Sequence, residues 1–334
     1  MPDRSPRVYT ISAGSPFLAT LAEALLAGRV LPHWPAKDDP AALSDATLYL
    51  PTRRSTRALS DFFAKEAQGQ TRLLPRIVPL AGLDDVEDRL IFERGFDRFS
   101  ADQTLLPDID PTERRLILTR LVLAWSKRIS ATLRDDTSSR LFPPALEEGL
   151  KTDVDGFVVA ASAHDALQLA DALGHLIDTL AIHGKTWEDV HRLVPSENDD
   201  YWRISRDFLE IAARAWPEFK SAKNVMDLAE RHHHLIITEA RRLHETKPDQ
   251  PIIAAGSTGS MPATARLLSA IAHLPMGAVV LPDLDLTLDA STFALLTDGE
   301  GKIREPSHPQ AQLAHLLHVI GIERASVQDL GYAS

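Results

Sequence analysis

Apolar and polar positions change their spacing twice along this chain, and the changes mark where one kind of structure gives way to another. Val8-Tyr9-Thr10-Ile11 is a short β-branched and aromatic run that predicts a strand, after which Phe17, Leu18, Leu21, Leu25 and Leu26 recur at helical spacing up to Gly28. Ala46-Thr47-Leu48-Tyr49-Leu50 predicts a second strand, ended by Pro51. Ser55 to Ala67 predicts a second helix with Leu59, Phe62 and Phe63 on its apolar side. A third extended segment, Arg76-Ile77-Val78-Pro79-Leu80, follows a connection that contains Gly69 and Pro75. Strands alternating with helices predict a largely parallel sheet with helices packed on it.

From about Asp110 to Pro248 the period is helical throughout. Pro111-Thr112-Glu113 opens an amphipathic run from Leu116 to Leu133, and Ala160 to His183, Tyr201 to Ala215 and Ser221 to Glu245 follow as helices. The strand pattern then returns. Pro251-Ile252-Ile253-Ala254-Ala255-Gly256 predicts a buried strand and turn, Ala263 to His273 a helix, and Ala278-Val279-Val280-Leu281 another buried strand. Gly299 to Pro309 is rich in glycine and proline and precedes a helix from Gln310 to Ile320. The fold class expected is α/β: a RecA-like parallel sheet with helices on both faces, interrupted by a large helical insertion. The boundaries expected are residues 1–105 and 250–300 for the sheet domain, 106–249 for the insertion, and 301–334 for a linker and the start of a following region.

Composition narrows the chemistry. The 334 residues include no cysteine, which excludes disulfides, thiolate zinc sites, cysteine-ligated iron–sulfur clusters and cysteine nucleophiles within this chain. A formal net charge of −11 argues against nonspecific coating of nucleic acid, although a local basic groove stays open. Such a cluster exists at Arg53, Arg54 and Arg57, while an acidic stretch lies at Asp84-Asp85-Val86-Glu87-Asp88. No stretch reaches the roughly 18 to 20 apolar residues needed to span a bilayer, and no basic, apolar and cleavable leader stands at the N-terminus. A cytoplasmic location without membrane contact is the expectation.

Three strand-to-helix turns carry candidate chemistry. Ser12-Ala13-Gly14-Ser15-Pro16-Phe17-Leu18 lies where a phosphate-binding loop would sit, yet Pro16, Phe17 and Leu18 fall at the positions of its Gly-Lys-Thr ending. Proline removes an amide donor, and phenylalanine carries no charge to meet phosphate. The segment is either a degenerate nucleotide loop or an ordinary turn. Pro51-Thr52-Arg53-Arg54-Ser55-Thr56-Arg57 joins a strand end to a helix start, where hydroxyls and arginines suit phosphate oxygens. The alternative there is a capped, solvated helix start. Gly256-Ser257-Thr258-Gly259-Ser260 could cradle phosphate or serve as a plain turn, and Ala255 before it stands where a nucleotide-hydrolysing strand ends in an acid. His232-His233-His234 lacks the i, i+4 spacing of a helical zinc pair, and Asp283 and Asp285 read as a polar loop, so no metal and no catalytic residue is assigned.

The segments Val8 to Leu26, Leu48-Tyr49-Leu50-Pro51-Thr52-Arg53-Arg54, Leu74 to Leu80, Ala255 to Thr264, Val280 to Asp285 and His308-Pro309-Gln310, in this order and spacing, resemble the N-terminal part of the AddB family in its alphaproteobacterial form. AddB is one subunit of a helicase–nuclease that processes double-strand DNA breaks. The resemblance covers essentially the whole chain. It implies a superfamily 1 helicase-like domain that holds single-stranded DNA and docks on an AddA-type motor subunit, and it implies that this chain is a portion lacking the C-terminal nuclease domain. Thr52, Arg53, Arg54 and Arg57 are the expected DNA contacts, with Ser257, Thr258 and Ser260 beside them. Gly14, Ser15, Pro16, Phe17, Leu18 and Ala255 mark degenerate nucleotide motifs, so neither ATPase activity nor a cofactor is expected. The rival expectations are a stand-alone α/β enzyme acting on a nucleotide or phosphorylated metabolite, and a purely structural scaffold.

Overall fold

The computed structural model describes residues 5–35, 39, 41–66, 73–80, 105–136, 162–193, 208, 209 and 211–331. The chain runs through β1 (Val8–Ile11), α1 (Phe17–Leu26), β2 (Thr47–Leu50), α2 (Arg53–Glu66) and β3 (Arg76–Pro79). The helices α3 (Pro111–Asp136), α4 (Ala163–Ile182), α5 (Trp187–Leu193), α6 (Trp216–Lys223) and α7 (Leu228–Thr246) follow. The chain then returns to β4 (Ile252–Ala255), α8 (Pro262–Ala272), β5 (Gly277–Pro282), α9 (Ala290–Ala294), α10 (Ala311–Ile320) and β6 (Gln328–Asp329). It divides into two compact units, Met1–Thr104 with His234–Ser334, and Leu105–His233.

In the first unit the strands form a six-stranded sheet in the order β3-β2-β4-β5-β1-β6, and every pair is parallel. The first two strands in the chain are separated by two strands that arrive after the insertion, which is the RecA-like arrangement. Connections from β1 and β2 run toward the β3 edge, whereas those after β4 and β5 run the other way. Right-handed crossovers therefore send the two sets of helices to opposite faces. Packing agrees with this. Leu21, Leu25, Leu59 and Phe63 from α1 and α2 cluster with Ile11, Leu48, Leu50, Ile253, Ala255, Ala278 and Val280, the alternate positions of their strands.

The remaining strand positions, including Tyr49, Ile252, Ala254, Val279 and Leu281, are equally buried on the second face, where α8 packs on β4 and β5 and α10 packs on α8. Burial on both faces is why these strands read as continuous apolar runs. At Gly277 a Cβ would fall 1.9 Å from the Ile271 carbonyl oxygen, so only glycine lets β5 start this close to the end of α8. Besides Thr10, the polar exception among these core positions is Tyr49. Its hydroxyl donates to Glu239 on α7 at 2.9 Å, and Arg242 holds the same carboxylate with two hydrogen bonds of 2.8 Å.

The second unit is helical. Leu118 and Val122 of α3 pack with Ala166, Ala170, Leu173 and Ile177 of α4 and with Trp216 of α6. Asp227 is only 1% exposed, and its carboxylate takes hydrogen bonds from Trp216 Nε1 at 2.9 Å and Lys220 Nζ at 2.7 Å. Arg114 Nε lies 2.8 Å from its other oxygen, at ion-pair distance but outside hydrogen-bond geometry. A carboxylate this deep would be costly without such partners.

Three expectations change. The single helix expected over Ser221 to Glu245 is two, because Asn224 adopts a left-handed conformation with φ 53 that ends α6, and α7 begins only at Leu228. Of the helix expected over Tyr201 to Ala215, positions 201–207 and 210 lie outside the described residues; Ile211–Ala215 form a π-helical turn running into α6, whose first turn accommodates Pro217. The region expected to be a linker after position 301 contributes β6 to the sheet, with Leu330 N–H donating to Thr10 O at 2.9 Å. A strand of two residues has no periodicity to detect. The acidic stretch at Asp84 to Asp88 lies outside the described residues.

Candidate functional site

Parallel strands bring all their C-terminal ends to one edge of the sheet. Neighbouring chains leave that edge toward opposite faces at two places, between β2 and β4 and between β5 and β1, and such switch points are where open α/β sheets place ligands. The three candidate turns all lie on this edge. Parallel pairing, which sequence alone did not specify pair by pair, therefore gathers residues 12–18, 51–57 and 255–260.

The turn after β1 has only five residues, Ser12 to Pro16, before α1 begins at Phe17. Counting back from Pro16, the first glycine of an intact phosphate loop would stand at Ile11, which is inside β1 and 1% exposed. The turn is closed by Ser15 N–H donating to Ser12 O at 3.0 Å. Phe17 stands where the lysine would be. A Cβ on Gly256 would lie 3.2 Å from Phe17 Cε1 and 3.4 Å from Pro51 Cδ, so the aromatic ring, the proline and the start of the β4 turn pack together. An apolar contact thus fills ground that a nucleotide site would give to phosphate and cation.

Acidic groups border the same turn. Asp283, which follows β5, accepts a hydrogen bond from Ala13 N–H at 2.9 Å. Its φ of 50 is held from several sides: Asp283 N–H donates to Ile11 O, Gln310 Nε2 donates to Asp283 O, and Thr10 Oγ1 accepts from Leu284 N–H, each at 2.9 Å. Asp285 donates its N–H to Gln310 Oε1 at 3.0 Å. Hydrogen bonds from the Thr287 hydroxyl, and then from the Thr287 and Leu288 amides, lower the pKa of the Asp285 carboxyl. Both aspartates are therefore organisers of the loop after β5.

After β4, Ala255 is 1% exposed and pairs with Val280, so an acid there would face the core. Gly256 and Gly259 have φ values of 78 and 66. A Cβ on Gly259 would come within 2.8 Å of Leu316 Cδ1, which explains the second glycine as a close approach to α10. Ser257 Oγ accepts from Gly259 N–H at 3.3 Å, while Thr258 is half-buried and Ser260 exposed. The turn is held by its own hydroxyl.

The turn after β2 has the opposite character. Thr52 and Ser55 cap α2 reciprocally, with Ser55 N–H donating to Thr52 Oγ1 at 3.2 Å and Thr52 N–H donating to Ser55 Oγ at 3.1 Å. Thr52 is thus engaged in capping. Arg53 is half-buried and has an interaction partner. Arg54 and Arg57 are exposed and, among the described residues, make no ion pair. The first turn of α2 holds no acidic side chain. Cations at a helix N-terminus oppose the helix dipole, so this cluster is electrostatically unfavourable until an anion arrives.

Asp283 and Asp285 form the polar loop that the sequence indicated, whereas sequence reasoning missed the other polar groups that organise the edge from within: Thr10, Tyr49 and Gln310. A threonine and a tyrosine inside otherwise apolar strands were the available signals. His232 is buried, His234 exposed, and no cluster of three or more metal-ligating side chains occurs among the described residues. Among those residues no helix is long and apolar enough to cross a membrane. No protein-family model matches the chain, and no curated protein matches it.

Proposed function

We propose that this chain is a helicase-like module of a DNA double-strand break repair enzyme of the AddB type, which guides single-stranded DNA by phosphate contacts and docks on an AddA-type motor subunit. The observation that carries this reading is the contrast along one sheet edge: exposed Arg54 and Arg57 at the start of α2, beside a β1 turn filled by Phe17 and bordered by Asp283. A sequence-independent phosphate grip needs positive charge and a helix N-terminus. Nucleotide hydrolysis needs a cationic side chain and a metal-binding acid at the switch point, and Phe17 and Ala255 hold those positions. The module accordingly binds DNA without turning over ATP, and works in the cytoplasm beside its motor.

Titration with single-stranded DNA at two salt concentrations, with and without an AddA-type partner, tests the reading. Binding at low salt that weakens steeply as salt rises is the expected result. No binding at low salt, even with the partner present, would remove it. Co-purification of the partner without any DNA affinity would make the chain a scaffold instead. ATP turnover that vanishes on replacing Gly14 or Ser15 would overturn the noncatalytic part.

A further inference from the structure

The contact between Asp283 and the β1 turn has a chemical meaning beyond loop geometry. An amide N–H at the end of β1, just before a helix whose N-cap Pro16 offers no side-chain acceptor, is the kind of donor that an anion seeks. The anion already beside it belongs to the protein. Asp283 Oδ1 accepts from Ala13 N–H at 2.9 Å, and the aspartate is held there by three separate hydrogen bonds, to Ile11 O from its own amide, to its carbonyl from Gln310 Nε2, and to Thr10 Oγ1 from the next amide. The other flank is closed by the segment after β6. A Cβ on Gly331 would stand 2.9 Å from Ser15 Oγ, 3.6 Å from Ser12 Oγ and 3.1 Å from the carboxylate of Asp329.

We propose that Asp283 is a built-in anion that occupies the β1 turn and excludes phosphate from it by charge. The inference rests on the reading of this turn as one that handles no nucleotide, and adds a cause that acts before catalysis. Lacking lysine weakens attraction for phosphate; a fixed carboxylate supplies repulsion. Asp329 adds to the negative field from the far side. Phosphate-bearing ligands arriving at the sheet edge are thereby directed away from β1, and the arginines of α2 meet them without competition from the neighbouring turn.

The test uses inorganic phosphate titrated into the isotope-labelled full chain, followed on the Ala13 and Gly14 amide resonances. Asp283→Asn keeps an oxygen acceptor and tolerates the positive φ, so it removes the charge and little else. Asp283→Gly takes the same φ freely and removes the carboxylate altogether, which guards against a folding defect in the first variant. Removing a unit charge at about 4 Å in water is expected to tighten phosphate binding at this turn by about fivefold. If neither variant binds phosphate more tightly than the natural chain, or if the shifts arise away from Ala13 and Gly14, the proposal is overturned. Single-stranded DNA titrations of the same variants report separately on Arg54 and Arg57, so a failure here is distinct from a failure of the DNA-guiding reading.

Discussion

Two strand-to-helix turns leave the same edge of this sheet with opposite chemistry. After β1, the helix start is met by Phe17, packed at Gly256 and Pro51, and by the carboxylate of Asp283. After β2, the helix start is capped by Thr52 and Ser55 and carries exposed Arg54 and Arg57. Topology gives both turns a helix N-terminus at a switch point, so topology alone does not choose which of them meets a ligand. Side-chain charge and filling do. At the β1 turn, Phe17 puts apolar packing against Gly256 and Pro51 where the β2 turn presents charge.

The largest effect is expected where the two turns meet. Gly256→Val would force a β-branched residue into φ 78 with its Cβ against Phe17 and Pro51, lowering stability by about 3 kcal/mol in urea unfolding. A loss below about 1 kcal/mol would mean that the turns do not depend on this close approach. Behind the β2 turn, Tyr49→Phe leaves Glu239 with Arg242 but without its hydroxyl donor, and should cost about 1 to 2 kcal/mol.

Tyr49 also predicts a pH dependence. Burial, followed by the charge and hydrogen bond of Glu239, raises its pKa well above the ordinary 10.0. A raised folded pKa means that this contribution is whole below the unfolded value near pH 10 and is lost as pH climbs through the folded value. The alkaline fall in stability should therefore be shallower in Tyr49→Phe, as read by thermal unfolding across pH 9 to about 11. Equal slopes in the two proteins would show that the hydroxyl does not hold its proton in the fold.

Smaller effects separate the side chains proposed to face DNA from the structural ones. Arg54→Ala with Arg57→Ala should weaken single-stranded DNA binding by about tenfold at moderate salt and reduce the salt slope by about 1.4, the value for two phosphate contacts. An unchanged slope would place the contacts elsewhere on the edge. Thr52→Ala should cost about 1 kcal/mol through its lost cap and leave that slope alone. Weaker DNA binding by the folded variant at that same slope, since the hydroxyl is neutral, would instead put Thr52 on the DNA, as the sequence suggests.

Much of the sheet was legible because its strands are buried on both faces: Ile252 to Ala255 and Ala278 to Leu281 are apolar without interruption, and each is followed by a turn rich in glycine, proline or small polar residues. The helical region was legible from its period, but its breaks were not. Asn224 ends α6 through a backbone conformation, and the polar residues around it continue the pattern of an exposed helical face. In the candidate site, Thr52, Arg53, Arg54 and Arg57 could be placed at a helix start from Pro51 and the strand before it. The acceptance of the Ala13 amide by Asp283 could not, since 270 positions separate the two residues.

The sequence by itself determined the class of element at most positions, the absence of thiol chemistry, the apolar residues at positions 17 and 255, and the arginines at the start of α2. These are local properties, set by side-chain period, turn chemistry and residue type. Only the tertiary structure decided that β6 joins the sheet beside β1, that Phe17 meets Gly256 and Pro51, and that Asp283 stands at the β1 turn. Each depends on strand order, and strand order arises from which long connections close with buried faces and the right hand, a property of the whole sheet that no short window of residues contains.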